Sequence, residues 1–169
     1  SKLTLAQASI QVTDTAANNL NATNATGVAA AGTFVISDAI PVATLTSIKT
    51  ATGSSNGETW FYKLADSAAN LVNAGTSVVN AADAVNVTGT TNVASLGFVT
   101  AAKATATYDL VADTAANLIT ASGNTALNAN VATYATKISV TGGATVAQAK
   151  ALLADAQFDK VYAIADTAS

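Results

Sequence analysis

In a chain of 169 residues that is half apolar, yet only 5% aromatic and 10% charged, the apolar content is mostly Ala and Val, which suits thin layers between closely packed elements. Its seven basic residues are all Lys and its formal net charge is −3. No basic stripe exists to hold phosphates, which argues against nucleic acid and an anionic membrane surface as partners. With no Cys and no His, disulfides, thiolate metal sites, His-dependent triads and His-ligated zinc are excluded.

The opening SKLTLAQASI lacks the charged, apolar, small order of a signal peptide, so a mature chain or an excised piece is expected. No apolar run is long enough to predict a spanning helix, and membrane insertion is not expected. From there one phrase recurs. It reads QVTDTAANNL at Gln11–Leu20, KLADSAANLV at Lys63–Val72, DLVADTAANLI at Asp109–Ile119 and AIADTAS at Ala163–Ser169. Self-similarity of this kind marks a repeat architecture.

Seven β-like runs end at the anchors Asp14, Asp38, Asp66, Gly89, Asp113, Gly142 and Asp166, spaced 24, 28, 23, 24, 29 and 24 residues apart. Two residues before each anchor stands an aliphatic: Val12, Ile36, Leu64, Val87, Val111, Val140, Ile164. Four before stand Ile10, Phe34, Tyr62, Val85, Asp109, Ile138 and Tyr162, apolar but for Asp109, where a bulge or rim position is expected. The positions between are mixed. This period of two predicts strands with one buried face.

The stretches after the anchors form two alternating classes. In the first, Asp-Thr/Ser-Ala-Ala-Asn predicts a short helix capped by the Asp carboxylate, then a loose Asn/Gly/Thr-rich segment before another helical piece. In the second, apolar residues four, seven and ten beyond the anchor mark one helix face: Val42, Leu45, Ile48; Val93, Leu96, Val99; Val146, Ala149, Leu152. Pro41 falls near the start of the first of these helices, where a missing N–H costs least.

Strands about 24 residues apart with helical sequence between them predict a parallel sheet with right-handed crossovers. The expected architecture is α/β, one repeat domain over residues 1–169: a solenoid of parallel strands with helices on one face. Its rival is a compact open α/β sheet with strands out of sequence order.

The units VTGTTNVASL at Val87–Leu96, VTGGATVAQA at Val140–Ala149 and YDLVADTAANL at Tyr108–Leu118 resemble repeats of very large exported bacterial surface proteins of the adhesin-, haemolysin- or S-layer-like kind. The resemblance is clearest over Thr59–Ser169. It implies a secreted, extracellular or cell-surface protein. The calcium-binding Gly-Gly-x-Gly-x-Asp nonapeptides of such proteins are absent here.

Few residues suggest chemistry. The aspartates Asp14, Asp38, Asp66, Asp113 and Asp166 are read as structural helix caps rather than calcium ligands, because same-class strands would hold them roughly 10 Å apart. Asn18, Asn70 and Asn117 are read as turn residues. Of the aromatic cluster Trp60, Phe61 and Tyr62, Trp60 and Tyr62 share the core-facing parity. Asn-x-Thr sequons occur at Asn21, Asn24 and Asn86. No Ser or Thr has a His partner and no Lys stands in a Ser-x-x-Lys context, so no enzyme, catalytic residue, cofactor or metal is expected.

The expected function is structural, a repeat module that self-associates or meets neighbouring repeats of a longer chain. The alternative is an adhesive module recognising a glycan or partner protein, which exposed aromatics on the mixed sheet face would favour. Neither end shows a polar cap: LTLAQA at Leu3–Ala8 echoes TVAQA at Thr145–Ala149, and the chain closes on the first turn of a first-class unit. Head-to-tail filaments are therefore expected through Ile10, Gln11 and Val12 at one end and Val161, Tyr162, Ala163 and Ile164 at the other.

Overall fold

A computed structural model describes residues 10–24, 28, 31–53, 57–119, 126–154 and 163–164. Six strands form one sheet: β1 (Gln11–Asp14), β2 (Thr33–Ile40), β3 (Thr59–Ser67), β4 (Ala84–Thr91), β5 (Thr107–Asp113) and β6 (Ile138–Val140). They pair in the order of the chain, and every pair is parallel. Two short strands, β7 (Gly143–Ala144) and β8 (Ala163–Ile164), form a second parallel pair. The fold class is α/β, as the spacing of the anchors implies.

The connections keep the two classes distinct. The first-class crossovers are broken: α1 (Ala16–Asn19) precedes a 3-10 turn at Ala22–Asn24. Likewise α3 (Ala68–Ala74) precedes α4 (Thr76–Ala81), and α6 (Ala115–Leu118) precedes α7 (Ala129–Tyr134). Each second-class crossover begins with one longer helix: α2 (Val42–Ala51), α5 (Val93–Ala102) and α8 (Val146–Leu153).

Alternation places the core. Phe34, Ile36, Tyr62, Leu64, Val85, Val87, Val111 and Ile138 are buried on one sheet face, and Leu45, Ile48, Leu71, Val79, Leu96, Val99, Leu118, Val131 and Leu152 of the helices cover it. All but Phe34 belong to one continuous cluster. Full burial of each such side chain is worth about 1.5–3 kcal/mol, which in a chain this poor in aromatics makes the aliphatic column the main source of stability. Of the offsets expected to mark the helix face, seven and ten are buried in α2, α5 and α8. The residue at offset four is only half-buried in Val42 and Val93 and exposed in Val146, because it is the first helical residue.

The opposite face shows Thr59, Phe61, Lys63, Ala84, Asn86, Thr107 and Asp109 to solvent. Parallel sheets are ordinarily covered on both faces; the mostly polar side chains on this one, Phe61 apart, make exposure tolerable. At Asp109, where a bulge or rim position is expected, the sheet has a bulge. The β4–β5 register slips between Val87 and Thr90, and the Asp109 carboxylate accepts the N–H of Gly89 at 3.0 Å. Gly89 and Gly142 have φ of 71° and 79°, a conformation that any side chain would strain, which is why Gly stands there instead of Asp.

Candidate functional site

The richest polar arrangement is the row of turns at the C-terminal ends of the strands. In the first-class units the N-cap position belongs to Thr15, Ser67 and Thr114, one residue past the Asp. Thr15 and Ser67 use their hydroxyls in the usual way, each accepting the N–H three residues on at 3.3 Å. The aspartate then works from outside the helix. Oδ1 of Asp14, Asp66 and Asp113 accepts the N–H of the next residue at 2.8, 2.7 and 2.8 Å. The same oxygen accepts the side-chain amide of Asn18, Asn70 or Asn117 at 2.7, 2.7 and 2.8 Å. The Asn column is thus the partner of the Asp column, four residues on and one helical turn above it.

The other oxygen reaches into the preceding unit. Asp66 Oδ2 accepts the N–H of Val42, the first residue of α2, at 2.9 Å. Asp113 Oδ2 accepts that of Val93, the first residue of α5, at 3.0 Å. Asp38, which lies within β2, accepts the N–H of Ala16 at the start of α1 at 2.8 Å through Oδ1. The capping assignment therefore needs correction in detail. These carboxylates cap helices, but Asp38, Asp66 and Asp113 cap the helix of the unit before, while the N-caps of their own units are Pro41, Ser67 and Thr114, of which only Ser67 accepts a bond through its side chain. The physical reason is visible at α2, whose N-cap is Pro41 and makes no side-chain bond; Asp66 supplies the acceptor that Pro41 lacks. The helices α5 and α8 also carry their own caps, Asn92 and the Thr145–Gln148 capping box. Asp166 lies outside the described residues.

Electrostatics follow from these bonds. Burial works to raise the carboxyl of Asp66, but the donors Asn70, Val42 and Ser67 outweigh it and hold the group below the usual carboxylate range. Asp113 is lowered in the same balance by Asn117, Val93 and Thr114. Asp14 is lowered by Asn18 and Thr15. Carboxylates held ionised by the donors they accept in this way suit structural caps. Among the described residues no group of three or more His, Cys, Asp or Glu gathers to hold a metal.

The aromatic cluster divides. Tyr62 is buried and its hydroxyl donates to the Val78 carbonyl at 2.8 Å. Trp60 is half-buried and stacks on Phe34 with ring centroids 4.2 Å apart. The Lys49 ammonium lies 5.3 Å from the Trp60 ring and 5.4 Å from that of Tyr62, with its pKa lowered by burial. Phe61 points outward and is 43% exposed. Of the sequon residues, Asn86 is exposed on the open sheet face and accepts the Thr107 hydroxyl at 3.0 Å; Asn21 and Asn24 are exposed too.

The edges expected to associate are strands. Gln11 and Val12 lie in β1, which ends the six-stranded order and pairs with β2 alone among the described residues. Ile10 and Val12 pack on the small cluster of Val28, Ala31 and Phe34. At the other end Ala163 and Ile164 form β8 against β7; Val161 and Tyr162 lie outside the described residues. Two open clefts flank the first-class turns, one of about 390 Å³ at Asp14 and one of about 620 Å³ at Asp113. No helix among the described residues is long and apolar enough to cross a membrane.

What sequence reasoning missed is the reach of the carboxylates across units. Nothing in a single repeat announces it, since the donor is a backbone N–H and carries no residue identity. The departure of the first unit was visible: Asn19 stands where the sister phrases have Leu71 and Leu118. Comparison of the chain with known protein families, with curated proteins and with solved structures finds no match.

Proposed function

We propose that this chain is a structural repeat module of an exported bacterial surface protein: an α/β solenoid over its whole length, located outside the cell or on its surface. It associates head to tail into a fibre, or sits among further repeats of a longer chain. The observation that carries this reading is the Asp66–Val42 and Asp113–Val93 linkage. A unit that completes the helix of its predecessor is built for serial stacking, and the rule extends to a neighbour beyond either end. The sequential parallel order of the strands supports it, as does an open face of mostly Thr, Asn, Ala and Lys. The location rests on the resemblance of the repeats.

The test is the molar mass of the full chain by light scattering across concentration. The reading expects mass to grow with concentration, and Ala163→Lys, which adds charge to the β8 edge, to shorten the assemblies. A monodisperse monomer at high concentration would overturn the fibre reading.

One observation favours the adhesive alternative. Phe61 is exposed on the open face, where it pairs with the half-buried Val35 of β2. It is a single aromatic, and Phe61→Ala with a glycan-array readout separates the two.

A further inference from the structure

The chain carries Asn-x-Thr sequons at Asn21, Asn24 and Asn86, and the fold presents them unequally. A glycan acceptor of this kind must offer a free amide nitrogen and, two residues on, an accessible hydroxyl. Both must lie on a segment that a transferase can draw into its own groove, which is why such sites belong to surface loops.

Asn86 fails on the last count. It lies within β4, opposite Ala65 of β3 and Thr107 of β5, so its strand is paired on both sides. Its Oδ1 accepts the Thr107 hydroxyl at 3.0 Å, and Thr88, which completes the sequon, is half-buried. Handing this segment to an enzyme means opening a central strand, among the costliest local openings a fold has. Asn24 fails on the first count, because its Nδ2 donates to the Asn18 carbonyl at 3.0 Å. Thr26, which completes that sequon, lies outside the described residues.

Asn21 meets every requirement. It stands between α1 and the 3-10 turn at Ala22–Asn24, outside any strand, and both Asn21 and Thr23 are exposed. Asn21 Oδ1 accepts the Thr23 N–H at 2.9 Å, an Asx turn that ties the side-chain oxygen to its own backbone. Among the described residues Asn21 Nδ2 and the Thr23 hydroxyl have no hydrogen-bond partner, so both donor positions of the amide nitrogen are free. The backbone here is held locally: the Asn21 N–H donates to the Asn18 carbonyl at 3.2 Å, and the Asn24 N–H to the Asn21 carbonyl at 2.9 Å. Lifting this turn into a groove breaks no strand pair.

We propose that Asn21 is the acceptor for an N-linked glycan delivered from a glycosyl diphosphate. Nδ2 attacks the anomeric carbon of the donor sugar and a carbon–nitrogen bond forms. The bond from that carbon to the diphosphate oxygen breaks, the diphosphate leaves with the electron pair, and one Nδ2 proton passes to a base of the transferase. The Thr23 hydroxyl is the group by which the enzyme reads the sequon. The inference goes beyond the assembly reading and stands whether or not the chain forms fibres.

The folded full chain, offered to sequon-reading transferases in two arms, tests it. One arm pairs a soluble N-glycosyltransferase with UDP-glucose; the other pairs an oligosaccharyltransferase with a lipid-diphosphate-linked oligosaccharide. A free peptide of residues 84–91 is the positive control in each, and peptide mapping by mass spectrometry reads the occupancy of every Asn. Asn21 is expected to be modified in at least one arm, which identifies the source of the donor. Its occupancy should exceed that of Asn86 in the folded chain by about tenfold or more, since strand opening limits Asn86. Thr23→Ala should abolish modification at Asn21 and Thr23→Ser should keep it, with thermal melts like that of wild type in both. Asn21 left unmodified in both arms while the control peptide is modified, Asn86 modified as fast as Asn21, or Thr23→Ala modified like wild type would each overturn the inference.

Discussion

Asp66 Oδ2 accepts the N–H of Val42 at 2.9 Å across 24 residues of sequence, so one strand–helix unit completes the first turn of the helix before it. The same carboxylate holds its own turn through Ser67 and Asn70. One side chain therefore serves two units, and its loss uncaps a helix it does not belong to.

Substitution at Asp113 tests this sharing. The two oxygens take Thr114 and Asn117 on one side and Val93 on the other. A solitary N-cap would tolerate Asn almost fully. Here Asn has one oxygen for donors on two sides, and its amide must face a backbone N–H or the Asn117 amide. Asp113→Ala is expected to cost about 2 kcal/mol and Asp113→Asn about 1 kcal/mol or more in a urea titration. An Asn variant as stable as wild type would contradict the shared cap.

The buried hydroxyl of Thr91 gives a prediction of opposite sign. Thr91 is fully buried, and its Oγ1 has no partner. The corresponding ends of β2 and β7 carry Ile40 and Ala144, both buried. Thr91→Val removes a desolvated hydroxyl at nearly constant shape and is expected to stabilise the fold by about 1 kcal/mol, or a melting point higher by about 2–4 °C. A destabilised variant would mean that the hydroxyl has a partner.

The strand faces are tested by paired substitutions. Val87 is fully buried and Asn86 beside it is exposed. Val87→Asp places an unpaired carboxylate in the core and is expected to cost several kcal/mol, with Asn86→Asp close to silent. Equal damage in a denaturant titration would mean that the faces are misassigned.

Much of this architecture was legible because strands alternate with period two, and a buried face demands aliphatics at fixed positions. Of that column Ile36, Leu64, Val87 and Val111 are buried as that logic requires, while Val12 and Val140 in the two outermost strands of the six-stranded sheet are half-buried. Helix placement was legible from Leu45, Ile48, Leu96 and Val99 for the same reason. The division of labour at the turns was not. Asp and Thr or Ser stand side by side in DT and DS, both good caps, and sequence alone cannot say which takes the N-cap. Nor does it show where the second oxygen goes, since that is decided by the register of neighbouring strands. Trp60 shares parity with Tyr62 yet stays half-buried, because β2 and β3 meet near the sheet end, where Phe34 covers one side of the ring.

The carboxylates also set an acid limit. Asp66 and Asp113 have folded values held below the usual range, against about 3.9 in an unfolded chain. Depressed folded values mean that their contribution is complete above the unfolded value and is lost as pH falls from about 4 through the folded values. Stability measured by urea titration should be flat with pH just above that window and fall within it, and the fall should shrink in Asp66→Ala. An unchanged fall would assign the acid limit to other groups.

The most direct measurement is the pH titration of backbone amide resonances by NMR. If the units are stitched by aspartates, the Val42 and Val93 amides move with the protonation of Asp66 and Asp113, below about pH 4 and in step with the Ser67 and Thr114 amides. Asp66→Ala should abolish the movement of Val42 and leave that of Val93. Flat Val42 and Val93 amides, with Ser67 and Thr114 alone titrating, would contradict the account.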